Sequence, residues 1–343
     1  MKILIVKHTN LKGGATHFIN AFENHLKKHF SITIDKTTNH LSEKLLIPFY
    51  YGIKKRVFFF YLIKSVFNFN SYLKLKSKIL KSERIIFTSS TLLITCILFS
   101  AIYPKKKFYV IVQENMNLKN SFFNLLLKFS KNIRFFNISK TTHIHISNKS
   151  ISTYYIPNFI DPEIFVSEES DIKYDILYTG GDLDIKGFSN FIKILKSLND
   201  LDSNISFKIA VIGFYSQEKI QIINENCNNK ISITNFGLVS NVSKYINKSR
   251  LVIIPIGAPH FCRIAIESGL LNKTFIVNTR FKDLDFITEN NCFLIDDWAN
   301  FSDFYNNLSN SMISTKSKNN SKFSEEWNKT AKIQLESSHN FII

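Results

Sequence analysis

The sequence predicts an α/β protein of two domains, each built around a parallel sheet, and three observations carry that prediction. The chain has 343 residues, above the size at which a single core usually stops growing. Short apolar runs of strand length alternate with helix-length amphipathic stretches, the rhythm of repeated βα units. Charge is divided unevenly: residues 1–149 hold 25 Lys or Arg against 5 Asp or Glu, and residues 150–343 hold 19 against 22. An imbalance of that size between halves points to two domains with different partners.

The elements follow in order. A strand over Lys2–Lys7 leads into a loop, Thr9 to Gly14, and then a helix from Ala15 to Phe30 that sets Phe18, Phe22 and Leu26 at spacing four on one face. Further strands are expected at Ile85–Phe87, Phe108–Val112, Phe135–Ile138, Ile151–Ile156, Asp175–Tyr178, Phe207–Ile212, Ile231–Phe236, Leu251–Ile254 and Thr274–Val277. Their near-continuous apolar character implies parallel sheets covered on both faces. The Ser/Lys/Asn-rich piece Ser314–Lys322 reads as a flexible connection before a last helix in which Phe323, Trp327 and Ala331 share a face.

Composition narrows the class. Hydrophobic residues make up 45% and charged residues 21%, values of a folded globular protein rather than a disordered one. Four scattered cysteines, Cys96, Cys227, Cys262 and Cys292, form no Cys-x-x-Cys pair and read as reduced thiols of a cytoplasmic protein. Met1–Val6 is too short an apolar run for a signal peptide. No metal site is expected: His143 and His145 stand two apart with no further ligand near them in sequence.

One uncharged stretch, Ile85 to Tyr103, has the length of a membrane span. Four consecutive hydroxyl residues, Thr88 to Thr91, interrupt it, so a strand, a polar turn and a core helix from Leu92 to Tyr103 fit the same letters better. The basic half has a second peculiarity between Leu45 and Lys81. Phe49, Tyr50, Tyr51, Phe58, Phe59, Phe60, Tyr61, Phe67, Phe69 and Tyr72 are interleaved there with Lys54, Lys55, Arg56, Lys64, Lys74, Lys76, Lys78 and Lys81. Rings and cations in alternation suit an anionic membrane surface. They also suit nucleic acid, but no nucleic-acid motif accompanies them, and nucleic acid is not the expected partner. The bland alternative is a solvated basic face.

Six segments resemble, in order, those of the retaining GT-B glycosyltransferases often called glycosyl transferases group 1. Ile156-Pro157-Asn158-Phe159-Ile160-Asp161, with Phe165, resembles the interdomain "iPNGiD…F" segment. Tyr178-Thr179-Gly180 with Lys186-Gly187 resembles the "vGRl…KG" turn. Phe207–Gly213 and Ile233–Val239 are similar to the two strands that follow it. Leu251–Pro255 with Phe261–Val277 resembles the donor signature, and Phe323–Trp327 the closing helix that crosses back onto the first domain.

The resemblance implies a GT-B fold, two Rossmann-like domains with parallel sheets facing a central cleft that holds a nucleotide-sugar donor. It divides the chain into an acceptor and membrane-docking domain over 1–157, a donor domain over 158–320 and a crossing helix over 321–343. Lys186 matches the Lys that neutralises the leaving diphosphate, electrostatic stabilisation of developing charge. Glu267 matches the Glu that accepts hydrogen bonds from the donor ribose; these two are the expected catalytic residues. Gly13 and Gly14 fit a glycine loop before a helix N-terminus, an arrangement that lets backbone N–H groups reach phosphates. Gly213, Leu238, Phe261, Cys262 and Arg263 fall at further donor-binding positions.

Departures are equally specific. The first Glu of the Glu-x7-Glu motif is Pro259, and the Gly after it is His260. The Arg of "GRl" is Gly181, with Arg263 as a substitute cation in the signature loop. Phe108–Val112 ends in Gln113-Glu114-Asn115, without the His the family often has there. The resemblance implies no cofactor beyond the donor, no metal, retention of configuration, and a glycan or polyprenyl-diphosphate-linked acceptor of surface-polysaccharide synthesis at the inner face of a cell membrane. The alternatives are a catalytically degenerate GT-B scaffold and, more remotely, a basic nucleic-acid-binding protein.

Overall fold

The computed structural model describes residues 1–7, 14–36, 69–113, 121–160, 171–201, 205–259 and 261–343. They form two compact units, Met1–Phe159 with Thr330–Ile343, and Ile160–Lys329.

The first unit contains six strands: β1 (Lys2–Lys7), β2 (Ser31–Lys36), β3 (Arg84–Phe87), β4 (Lys107–Val112), β5 (Ile133–Asn137) and β6 (Thr153–Tyr155). All pair in parallel, in the order β2-β1-β3-β4-β5-β6. Its helices are α1 (Gly14–Lys27), α2 (Phe69–Leu80), α3 (Leu93–Ile102), α4 (Ser121–Lys128) and α5 (Lys140–Ser147). Side chains alternate between the two faces of each strand, and both faces are covered. On one, Leu4, Val6, Ile85, Phe87, Phe108 and Val110 pack with Leu75 and Ile79 of α2, Leu93, Cys96 and Phe99 of α3, and Ile146 of α5. On the other, Phe22 of α1 meets Phe136 edge-on at 5.2 Å between centroids. That double coverage is why Ile3–Val6 reads as an unbroken apolar run.

The second unit contains β7 (Tyr174–Tyr178), β8 (Phe207–Val211), β9 (Ile231–Asn235), β10 (Ser249–Ile254), β11 (Phe275–Asn278) and β12 (Phe293–Ile295). Again all are parallel, in the order β12-β11-β10-β7-β8-β9. Counted from the unit's own first strand, this is 3-2-1-4-5-6, the strand order of dinucleotide-binding sheets. The helices are α6 (Phe188–Asn199), α7 (Gln217–Glu225), α8 (Ser243–Asn247), α9 (Arg263–Leu270), α10 (Phe301–Asn306) and α11 (Asn310–Ile342). One face of the sheet packs on α6 and α10, the other on α8, α9 and the Phe323 and Trp327 side chains of α11.

Three expectations are corrected. Ser314–Lys322 is no flexible connection; it lies inside α11, which runs unbroken for 33 residues. The polar letters mislead because this helix buries amides and hydroxyls as well as apolar groups. Asn320 is fully buried, and its Nδ2 donates to the carbonyls of Ala265 (3.3 Å) and Lys273 (2.8 Å) while its Oδ1 accepts from Asn291 Nδ2 at 3.2 Å. Asn328 Nδ2 donates to the Ile160 carbonyl at 2.6 Å and its Oδ1 accepts from the Ile160 N–H at 2.9 Å. Second, the sheets gain β2 and β12, which the sequence pattern does not predict, one being polar at every other position and the other three residues long. Third, Tyr72 does not belong with the surface aromatics: it stacks on Phe99 of α3 at 5.3 Å.

The remaining residues of the basic-aromatic stretch, 45–68, lie outside the described ones. Within 69–81, Leu73, Lys74, Lys76, Leu80 and Lys81 are exposed. The uncharged stretch 85–103 divides into β3, a single 3-10 turn at Ser90–Leu92 and α3. Among the described residues no helix is long and apolar enough to cross a membrane.

Candidate functional site

Ligands of open parallel sheets bind outside the carboxyl ends of the strands, where the order reverses. In the second unit that point lies between β7 and β10, paired through Leu177↔Val252 and Tyr178↔Ile253. The loops that leave these two strands are locked together. Gly257 N–H donates to the Ile185 carbonyl at 3.1 Å, and Asn190 Nδ2 donates to the Pro255 carbonyl at 2.8 Å. Gly187 makes the approach possible: its φ is +98°, and a Cβ there would run into the Pro255 carbonyl. From the other side, Arg280 Nη2 donates to the carbonyls of Ile256 and Gly257, both at 3.3 Å.

A second close approach flanks the first. Gly213, just past β8, has φ +134°, and a Cβ would sit 2.7 Å from Gly181 Cα. Asp182 N–H donates to the Phe214 carbonyl at 3.0 Å, Gly213 N–H to the Gly237 carbonyl at 2.9 Å, and Asp182 Oδ2 accepts from the Ser216 N–H at 2.9 Å. The loops after β7, β8 and β9 are thus tied in one row of backbone. Leu238, next in that row, is 80% exposed.

The predicted site residues distribute themselves around this point. Lys186 is exposed at the end of a 3-10 turn, Asp184–Lys186. Cys262 is buried immediately before α9 in an extended conformation. Burial pushes its thiol up to about 12, with the charge of Lys186 opposing. The Gly257–Ile185 bond and the Gly187–Pro255 approach set the turn that carries Lys186 against the loop leading into α9, and a helix N-terminus favours an anion. Phe261 stacks on Trp327 at 5.7 Å and meets Phe286 edge-on at 5.5 Å, which anchors the loop entering α9.

Glu267 lies on the inner side of α9, 7% exposed. It forms an ion pair with Arg263, one helical turn earlier. Burial raises the Glu267 carboxyl above the ordinary range, and Arg263 opposes the rise. Arg263 therefore serves first as the partner of Glu267 rather than as a free cation. Pro259 is exposed in the loop, and His260 lies outside the described residues. In the first unit, Gly14 opens α1, whereas Gly13 and Glu114 lie outside the described residues. Gln113 Nε2 donates to the Thr88 carbonyl at 2.8 Å. His143 and His145 find separate partners, Thr153 Oγ1 (3.2 Å) and Asn124 Oδ1 (2.9 Å).

Sequence reasoning missed Asn190 and Arg280, whose side chains brace the loop after β10. Neither stands in a recognisable motif; only the folded sheet brings them to the same carbonyls.

No protein-family model and no curated protein sequence matches this chain. Solved structures do. The Anabaena protein HepE, crystallised with UDP, is similar over 99% of both chains with a TM-score of 0.71 at 13% identity. Sucrose-phosphate synthase from Thermosynechococcus elongatus is similar over 99% of this chain and 98% of its own, at a TM-score of 0.70 and 11% identity. A glycosyltransferase from Rickettsia africae follows at 0.64 and 14%, over 99% and 97%. The shared feature is the fold, two six-stranded parallel α/β units of the GT-B class.

Proposed function

We propose that this chain is a GT-B glycosyltransferase, taking a sugar from a nucleotide-sugar donor held at the carboxyl ends of β7 and β10. The observation that supports this reading is the close packing, at the strand-order reversal, of the turn that carries Lys186 against the loop leading into α9. A diphosphate placed there would lie by a lysine-bearing turn and a helix N-terminus, both of which favour an anion. As the glycosidic bond breaks, charge grows on the departing nucleotide, and a fixed cation stabilises that charge more than it stabilises the intact donor. HepE, solved with UDP-glucose as well as UDP, supports a uridine nucleotide as the first donor class to try.

Glu267 contributes through its remaining acceptor capacity. A carboxylate accepts about four hydrogen bonds, so pairing with Arg263 leaves lone pairs for the two ribose hydroxyls. The acceptor is a glycan or a polyprenyl-diphosphate-linked saccharide of surface-polysaccharide synthesis, reached by peripheral attachment to an anionic cytoplasmic membrane face. Transfer retains the anomeric configuration without a metal ion, the donor diphosphate assisting deprotonation of the acceptor. These finer statements rest on the sequence resemblance alone.

The test is a thermal-shift screen of the full chain against a panel of nucleotide-sugars, since a ligand that binds only the folded state raises its stability. One nucleotide class should raise Tm in the wild type and much less in Lys186→Ala. No shift with any nucleotide-sugar would overturn the reading.

A second reading is favoured by one feature, the buried Arg263–Glu267 pair next to Pro259. A scaffold that had lost catalysis could keep this pair for packing alone. Donor binding without transfer or hydrolysis would select it.

A further inference from the structure

Far along the chain from the donor loops, three histidines converge within the first unit. His25 and His29 stand four residues apart on α1 and so share a face; His339 comes from the last turns of α11. Ring centroids lie 5.0 Å apart for His25–His29, 5.8 Å for His25–His339 and 4.3 Å for His29–His339. One nitrogen from each ring lies within 4.8 Å of the other two. Three imidazoles rarely gather without a reason, since any two that protonate repel each other.

Two further observations point to a ligand. His25 is only 9% exposed, and its Nε2 is buried without a hydrogen-bond partner, which ordinarily costs the desolvation of that atom. His339 Nδ1 lies 2.7 Å from the Glu336 carbonyl oxygen. A carbonyl only accepts, so Nδ1 carries the hydrogen and Nε2 keeps its lone pair. An imidazole oriented by an Nδ1–H···O=C bond is the usual posture of a metal-bound histidine.

We propose that His25, His29 and His339 form a site for a first-row transition-metal cation, Zn²⁺ in particular, that ties α1 to the end of α11. Three imidazole nitrogens suit Zn²⁺ and its neighbours rather than Mg²⁺ or Ca²⁺, which take oxygen ligands. Tetrahedral bonds of about 2.0–2.1 Å set ligand nitrogens roughly 3.3 Å apart, so binding would draw the three rings together. His29 is exposed, so an ion would reach the site from solvent and water would complete the shell. The site lies within the first unit, and nothing in the donor reading depends on it.

The experiment uses the full chain, free of any polyhistidine tag and stripped with a chelator. Zn²⁺ is titrated calorimetrically, and Co²⁺ binding is followed by its visible absorption. The expected result is one ion per chain, a higher Tm with Zn²⁺, and an affinity loss of more than about tenfold in both His29→Ala and His339→Ala. His145→Ala, whose ring is paired with Asn124, should bind as the wild type does. Each variant's melting without metal shows that it has folded. Absence of Zn²⁺ and Co²⁺ binding by the wild type, full affinity in either cluster variant, or an equal loss in His145→Ala would overturn the site.

Discussion

The two units share six parallel strands and differ in where their order reverses. In the second the reversal falls at mid-sheet, with three strands on each side; in the first it falls between β1 and β3, with two strands on one side and four on the other. Tight backbone turns mark the strand ends of the second unit. Gly181, Gly187, Gly213 and Gly237 there all have positive φ. Left-handed glycines at strand ends allow backbone to approach backbone, and equally to approach a ligand. The first unit departs in charge, carrying most of the chain's excess of Lys and Arg. Equal sheets thus carry different features: tight loops at the strand ends of one, an excess of Lys and Arg on the other.

The strongest way to break this contrast is to disturb the pair beneath the tight loops. Glu267→Ala strands Arg263 in a site where the two side chains are 14% and 9% exposed; removing one partner of a buried pair costs about 3–5 kcal/mol. Chemical denaturation should show that loss, and Arg263→Met with Glu267→Leu should recover most of it without restoring donor binding. Recovery of donor binding in the double variant would make the pair structural only. The pH profile adds a check. Burial lifts the Glu267 carboxyl in the folded state, so its contribution favours folding most below its unfolded pKa. That contribution declines as pH rises through the folded value. Glu267→Gln should remove this decline.

Next in size is Gly187→Ala. A side chain at φ +98° is strained and meets the Pro255 carbonyl, for a cost of about 1–3 kcal/mol. The loops after β7 and β10 should part, and the nucleotide-sugar thermal shift should vanish with modest loss of Tm. An unchanged thermal shift would place the ligand elsewhere. Lys186→Ala should leave Tm intact and weaken donor affinity or turnover by about ten- to a hundredfold, the range of a lost charged hydrogen bond. The smallest effect belongs to the basic half. Replacing Lys54, Lys55 and Arg56 with Glu should weaken binding to anionic vesicles by about 1 kcal/mol per charge, in a salt-dependent way, with the nucleotide-sugar shift unaltered. Equal binding to neutral vesicles would leave the segment a plain solvated surface.

The α/β class was legible because fully buried parallel strands must be apolar along their whole length, and Ile3–Val6 or Leu251–Ile254 can hardly read otherwise. β12 was not, since three residues carry no period. The helical character of Ser314–Lys322 was hidden for a different reason: Asn320 earns its buried place by matching particular carbonyls, and no composition rule reports that. Around the donor loops, Gly187 and Lys186 stood out as a dipeptide. Asn190 and Arg280 did not, because their shared target exists only once β7 and β10 are adjacent. The histidine cluster is the extreme case. His25 and His29 alone look like ordinary polar positions of an amphipathic helix, and the third ring comes from the other end of the chain.

α11 begins in one unit and ends in the other, and this has a consequence for the order in which the protein is made. The second unit is a continuous stretch, Ile160–Lys329, complete once its last residue has left the ribosome. The first unit starts earlier but needs Thr330–Ile343. Until these arrive, Phe136 lacks the ring of Phe341 at 5.1 Å. Tyr109 and Arg134 lack the carbonyls of Ile342 and Phe341, to which they donate at 2.7 Å and 2.8 Å. The half that is translated first is therefore finished last, and it spends the interval with an aromatic, cationic face uncovered, the kind of surface on which a chaperone or a premature membrane contact would act.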